Sequence, residues 1–287
     1  MEAHPGLGWA AATAAGRAWL ERLPRLVAEC AERWGLELGE PFPYAYASLA
    51  LPGRRGAEEV VLKVQFPDRE SEHEAAALAL WDGDGAVRLL DHDPERHALL
   101  LERLRPGTPL SDESPEAALD VLAGLLPRLW VSAGAPFRTL ADEAAWWASY
   151  LPERWERGSR PFGRELLDVA LEALRDLPGT QGEQVLLHQD LHGANVLRAE
   201  REPWLAIDPK PLVGEREFGI SPILRSDELG HARDDVRLRL DRLCAELGLD
   251  RERARLWAIA QTAAWEVDAA DPDEHVEIGQ WLLGLGA

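Results

Sequence analysis

Between Val185 and Lys210 the chain reads VLLHQDLHGANVLRAEREPWLAIDPK. Asp190 closes one apolar run, Asn195 follows five residues later, and Asp208 closes a second apolar run thirteen residues beyond. Phosphoryl transfer to an alcohol asks for these residue types. A carboxylate accepts the hydroxyl proton and aligns its oxygen on phosphorus. Mg²⁺ prefers hard oxygens and few protein ligands, completing its shell with water and phosphate, so one amide oxygen and one carboxylate suffice. Asp190 is then the base, and Asn195 and Asp208 are the metal ligands, of a direct in-line transfer of the γ-phosphate of ATP. Each residue alone is an ordinary turn former. The three together at strand ends make the chemistry. A rival reading takes His188-x-Asp190-x-His192 as part of a zinc site in a metallohydrolase, which needs further ligands. His231, beside an acidic cluster, is the downstream candidate.

Only two of the 31 basic residues are lysines, Lys63 and Lys210. Lys63 lies inside VVLKVQF, an apolar strand, where an amine is costly unless its head reaches solvent or an anion. Glu70, Glu72 and Glu74 follow in a helical stretch. Glu70 and Glu74 share a face and Glu72 points away. A Lys–Glu pair that turns the amine toward the α- and β-phosphates of ATP fits this spacing. Glu74, deeper in the helix beside Ala75–Leu78, is the favoured partner and Glu70 the alternative. Lys210, after Asp208-Pro209, offers charge to a phosphate or to a nearby carboxylate.

The elements that must hold these residues are legible in the periodicity. Residues 7–36 read as an amphipathic helix ended by Gly35. Residues 42–66 read as strands around the turn GRRGAE. Asp68 or Ser71 caps a helix running to Trp81. AVRLLDHD and HALLLERL form a hairpin across Asp93-Pro94. Helices follow over 114–131, 139–157 and 163–176, then the strands of 185–210, then helices over 227–247, 250–270 and 273–284. The expected fold class is α+β in two lobes: residues 1–104, strand-rich and nucleotide-binding behind a leading helix, and residues 105–287, mainly helical, catalytic and acceptor-binding.

The 287 residues are 46% hydrophobic, enough for one large or two small domains. The net charge of −20 repels nucleic acid and anionic membrane surfaces and draws in cations. No apolar run reaches eighteen residues, so no transmembrane helix is expected. Glu2, Arg17, Glu21 and Arg22 make the N-terminus an amphipathic helix rather than a signal peptide. Cys30 and Cys244, far apart in sequence, suggest neither a disulfide framework nor a cysteine metal site. A cytoplasmic protein is expected.

HQDLHGANV together with IDPK resembles the catalytic loop and metal-binding segment of the aminoglycoside phosphotransferase family, which has a protein-kinase-like fold. More narrowly, HQDLHGANVLRAEREPWLAIDPKPLVGEREFG is similar to the streptomycin 6-kinase and hydroxyurea phosphotransferase branch. WDGDGAVRLLDHD and ALLLERLRPGTPL resemble that branch's helix, following strand and interlobe hinge. The resemblance spans roughly residues 38–240 and implies ATP and Mg²⁺ as cofactors. It implies Asp190 as base, Asn195 and Asp208 as Mg²⁺ ligands, and Lys63, held by Glu74, on the phosphates. It also implies backbone hydrogen bonds to adenine near Glu102–Leu104, with Val61, Leu101 and Ile207 about the base. Two features depart from the family: PFPYAYASLA has no glycine to cover the triphosphate, and Gln189 replaces the commoner glycine, as an outward side chain. A non-catalytic nucleotide- or small-molecule-binding protein of this fold is the alternative. A cationic acceptor such as streptomycin or an amino sugar calls for carboxylates. Asp227, Glu228, Asp234, Asp235, Glu266 and Asp268 are candidates, and Trp265 is placed to stack on a sugar or guanidinium.

Overall fold

The computed structural model describes residues 5–43, 47–158, 160–268 and 273–286. Tyr44, Ala45 and Tyr46 of the glycine-poor stretch lie outside the described residues. The chain divides into two compact units, Met1–Gly107 with Ala199–Arg201, and Thr108–Arg198 with Glu202–Ala287.

In the first unit the expected helix over 7–36 splits in two. A 3-10 turn covers Pro5–Ala12, and α1 covers Ala14–Trp34. The break falls at Thr13, whose Oγ1 accepts from Gly16 N at 3.0 Å. Only glycine fits at position 16, because a Cβ there would stand 2.0 Å from Ala10 O. Gly35, at φ 63°, closes α1. Five antiparallel strands follow: β1 (Glu37–Leu38), β2 (Ser48–Arg55), β3 (Glu58–Gln65), β4 (Leu89–Asp93) and β5 (Ala98–Glu102), in the order β1-β2-β3-β5-β4. β2 runs on through Gly53, Arg54 and Arg55, and the turn is Gly56-Ala57, shorter than the expected GRRGAE. β4 and β5 form the hairpin across Asp93-Pro94.

Alternation along β3 sorts its side chains. Val60, Leu62 and Val64 join Trp19, Leu23, Leu26, Val27, Cys30 and Trp34 of α1 in one core cluster. Val61, Lys63 and Gln65 therefore face the other way. α2 (Glu74–Trp81) meets that second face through Glu74. α2 starts later than expected because Asp68 Oδ1 accepts from Glu70 N at 2.8 Å and Ser71 N at 2.7 Å, folding those residues into a turn ahead of the helix.

The second unit is built on helices. α3 (Pro115–Leu129) begins with the Ser114 cap and Pro115 in its first turn. α4 (Leu140–Arg157) follows β6 (Arg138–Thr139) and opens with a Thr139–Asp142 capping box. α5 (Arg164–Asp176) leads to β7 (Gln184–Leu187), β8 (Val196–Arg198), β9 (Trp204–Ala206) and β10 (Leu212–Glu215). β10 is unforeseen by the periodicity. Its four residues are buried, and it lies between β6, parallel to it, and β7, antiparallel to it. Glu215, fully buried, accepts from Trp257 Nε1 and from Arg253 Nη2 at 2.7 Å.

The expected helix over 227–247 begins only at Arg233. Two short helices, α6 (Arg216–Gly219) and α7 (Ser221–Leu224), and a 3-10 turn over Asp227–Leu229 precede α8 (Arg233–Leu247). The reason is Arg239: its buried guanidinium donates to Leu224 O at 3.0 Å, Leu229 O at 2.9 Å and Gly230 O at 2.7 Å, fixing carbonyls that a continuous helix would consume. α9 (Arg251–Glu266) is buried along nearly its whole length and packs on α5 and on α10 (Asp273–Leu283). No described helix is long and apolar enough to cross a membrane.

Candidate active site

In the first unit Lys63 Nζ reaches both carboxylate oxygens of Glu74, at 2.8 and 2.7 Å. Gln65 Nε2 donates to the same carboxylate at 2.6 Å. Lys63 is 5% exposed and Glu74 2%. The structure thus chooses Glu74 over Glu70, whose backbone instead serves the Asp68 turn. A lysine this deep stays charged only beside an anion. The pair pins one side of the ammonium and leaves its direction set by the strand.

The Glu102–Leu104 segment is engaged within the first unit. The Glu102 N–H donates to Arg88 O at 3.1 Å, which takes that amide away from an adenine. Its carboxylate accepts from Arg88 N at 2.8 Å and from Arg201 Nη2 at 2.7 Å. Leu104 is buried.

In the second unit β7 delivers the chain to His188, and the loop that follows is tied down by its own backbone. His188 Nε2 lies 2.9 Å from Ile207 O, and Asp190 N donates to His188 Nδ1 at 3.3 Å. The imidazole is therefore neutral, with its proton on Nε2. Lys210 N donates to His188 O and Ile207 N to Asn195 O, both at 2.9 Å. These bonds carry the Asp208 segment alongside loop 188–195. Gly193 N donates to Glu228 Oε1 at 2.7 Å. A Cβ at Gly193 would stand 3.0 Å from Ser111 N, against backbone that cannot yield. Gln189 and Asp208 hold positive φ, 64° and 56°, in a region non-glycine residues seldom enter.

Asp190 sits between an ammonium and an imidazole. Lys210 Nζ is 3.3 Å from its Oδ2 and His192 Nε2 is 3.9 Å from its Oδ1. Burial alone would raise its carboxyl, but the Lys210 ammonium, foremost among the groups around it, holds it below the usual carboxylate value. It is ionised at neutral pH and ready to accept a hydrogen bond from a hydroxyl. Asn195 Nδ2 is turned to Asp190, 2.9 Å from its O and 3.3 Å from its Oδ2. That leaves the amide oxygen of Asn195 for a cation. An amide oxygen and the Asp208 carboxylate are hard donors, and they fit a Mg²⁺ ion held by few protein atoms. The zinc reading loses His188, both of whose ring nitrogens are engaged. Among the described residues no group of three or more His, Cys, Asp or Glu is placed to hold a metal ion.

Burial pushes His188 from its ordinary 6.5 down to about 4. Folding is therefore favoured by the neutral ring. That contribution is complete above pH 6.5 and is lost as pH falls from 6.5 toward 4, amounting to about 3 kcal/mol across the window. Urea titrations at half-unit steps from pH 7 to 4 should show stability dropping in that interval, with a smaller drop in His188→Gln. An equal drop in the variant would assign the acid sensitivity elsewhere.

Two expectations need correcting. Gln189 does not point outward. It is 1% exposed, its carbonyl accepts from Gln261 Nε2 at 3.2 Å, and its amide atoms are buried. Glu266 is not an open carboxylate awaiting a cationic acceptor. It accepts from Arg225 Nη2 at 2.7 Å and faces His275 Nδ1 at 2.9 Å. Of the other acceptor candidates, Asp227 and Asp234 are exposed, Asp235 is half-buried, Asp268 pairs with Arg154, and Glu228 is drawn to Gly193. Trp265 lies under Lys210 and Arg225. Arg225 carries no motif in the sequence. Lys210 stands out in the sequence by the rarity of lysine and by its place after Asp208-Pro209, and of the two partners open to it, a phosphate or a carboxylate, the structure shows the Asp190 carboxylate.

Residues 33–271 match the sequence profile of the aminoglycoside/hydroxyurea antibiotic resistance kinases. A hydroxyurea phosphotransferase from Kitasatospora aureofaciens is 43% identical over 283 residues, covering 94% of this chain and 82% of that protein. A streptomycin 6-kinase from Streptomyces glaucescens is 43% identical over 285 residues, covering 94% and 92%. The choline kinase LicA from Streptococcus pneumoniae superposes with a TM-score of 0.67 at 13% identity, over 92% of this chain and 99% of that one. The last likeness carries the fold alone, which is protein-kinase-like.

Proposed function

Because the chain belongs to the aminoglycoside/hydroxyurea antibiotic resistance kinase family, we propose that it transfers the γ-phosphate of ATP to a hydroxyl of a small molecule, with a streptomycin-type aminoglycoside as the first acceptor. Lys63, oriented by Glu74, binds the α- and β-phosphates. The backbone of 102–104 reads the adenine edge through groups other than the Glu102 N–H. Asn195 and Asp208 hold Mg²⁺, which when bound neutralises charge on the phosphate oxygens. Asp190 accepts a hydrogen bond from the acceptor hydroxyl, aligns its oxygen in line with phosphorus and takes its proton as the bond to phosphorus forms. A carboxylate held below its usual value is a weak base. That suits a loose transition state, in which the proton moves late and orientation of the oxygen does most of the catalysis.

The observation that carries this reading is the Asp190 loop. An ionised, largely buried carboxylate is held by Lys210 beside an asparagine whose amide nitrogen is already committed. A second acceptor class has its own support. The cations Lys210 and Arg225 lie near Asp190, and Glu266 is neutralised by Arg225. A small neutral N-hydroxyl compound such as hydroxyurea suits such surroundings as well as a polycation does.

Purified protein with [γ-³²P]ATP and Mg²⁺ should label streptomycin or another member of a panel of aminoglycosides, amino sugars and hydroxyurea, and EDTA should abolish the labelling. ATP-induced thermal stabilisation without transfer to any compound would instead make this a nucleotide-binding protein of the same fold.

A further inference from the structure

Trp265 stands at the end of α9, partly buried. Two cations lie over its ring: the Lys210 ammonium at 4.6 Å from the centroid and the Arg225 guanidinium carbon at 4.9 Å. Each cation also belongs to an ion pair, Lys210 with Asp190 at 3.3 Å and Arg225 with Glu266 at 2.7 Å. The ring therefore lies against one member of each of two ion pairs, one of which contains the carboxylate assigned as base. The Trp265 indole N–H is buried and has no hydrogen-bond partner among the described residues, so no hydrogen bond from that group sets the ring's place. Packing and the two cations do. The Arg225–Glu266 pair is almost wholly buried and further held by His275, which makes it the fixed member. Lys210 is the adjustable one. Its side chain is 24% exposed, and a four-carbon stem with a strongly hydrated head has many rotamers to choose from. An indole face within cation–π range narrows that choice.

We propose that Trp265 is a positioning residue for phosphoryl transfer: its ring stations the Lys210 ammonium against Asp190 instead of stacking on the acceptor. The proposal rests on the reading of Asp190 as base. It explains why lysine persists at position 210 of a chain that uses arginine almost everywhere else. A compact ammonium fits between an indole face and one carboxylate oxygen, whereas a planar guanidinium would seek a bidentate partner.

The test is steady-state kinetics with ATP and the acceptor identified by the panel, on W265L, W265F, K210M, the two double variants and D190N. W265L should lower kcat about tenfold and shift acceptor KM less than about twofold. W265F, which keeps an aromatic face, should stay within about threefold of the parent. In the K210M background neither tryptophan change should cost more than about twofold, because the ammonium it stations is gone. A rise in acceptor KM at constant kcat would make Trp265 an acceptor-stacking residue and overturn the proposal. So would losses that multiply between W265L and K210M. If W265L fails to fold, W265F alone and with K210M carries the same comparison. An inactive D190N with multiplying losses sinks this proposal alone, whereas an active D190N sinks the assignment of the base and the proposal with it.

Discussion

Asp190→Asn should lower kcat by about a thousandfold or more while the protein keeps its fold and its affinity for ATP. The substitution preserves shape and a hydrogen-bonding oxygen but removes the charge. In the native protein that charge is maintained against burial chiefly by Lys210. An amide in its place still touches Lys210 yet cannot take a proton from the acceptor hydroxyl. The loop itself should survive, because its shape comes from other bonds: His188 to Ile207 O, Lys210 N to His188 O, and Gly193 N to Glu228. Lys210, 24% exposed, loses the charge of its carboxylate neighbour but keeps access to water, so the stability cost is within about 1 kcal/mol. Single-turnover transfer, ATP-induced thermal shift and far-UV circular dichroism measure the three quantities. A kcat within tenfold of the parent would remove Asp190 from the chemistry. A loss of ATP binding would show that the variant damaged more than the base.

The second large effect is expected at Lys63–Glu74. Breaking a buried pair by removing one partner leaves a charge without compensation, which costs about 3–5 kcal/mol. Glu74→Ala takes the carboxylate away from the Lys63 ammonium, which is only 5% exposed. Lys63→Met removes the cation from the buried Glu74 carboxylate. Each single variant should therefore unfold at markedly lower denaturant and bind ATP poorly. Lys63→Met with Glu74→Leu replaces both charges by apolar groups of similar size, and most of the lost stability should return. Phosphotransfer should not return, because the ammonium assigned to the phosphates is gone. Urea midpoints and ATP titration separate the two results. A double variant as unstable as the singles would mean that packing, not charge, dominates at this position. A double variant that transfers phosphate at the parental rate would remove Lys63 from the nucleotide site.

Much of the fold is legible because its signals are local. The capping box at Thr139, the Ser114-Pro115 start and the αL glycine at Gly35 each act within a few residues of the helix end they define. Helical spacing narrows the partner of Lys63 to Glu70 or Glu74, whereas its place on the face opposite Val60, Leu62 and Val64 shows only once those three join the core against α1. Where a local signal has two readings, the periodicity misleads. Asp68 and Ser71 look like a helix cap and instead build a turn. The run 227–247 looks like one helix, but its first part is fixed by Arg239 reaching back to three carbonyls. β10, only four residues long, has no period to read and is defined by pairing with β7 and β6.

The same division runs through the site. From the sequence alone come the residue types and spacing of Asp190, Asn195 and Asp208, the rarity of lysine at 63 and 210, and with them the class of reaction. Those are properties of one short segment and of composition, and they need no knowledge of which side chains meet. Tertiary structure alone decided that Glu74 and not Glu70 holds Lys63, that Gln189 is buried against Gln261, that Lys210 stands at Asp190, and that Glu266 belongs to Arg225, 41 residues away along the chain. The physical reason is that an ion pair forms wherever two charges lose water together. Which charges those are depends on how α9 and the loop after β9 pack, not on the spacing of the residues that carry them.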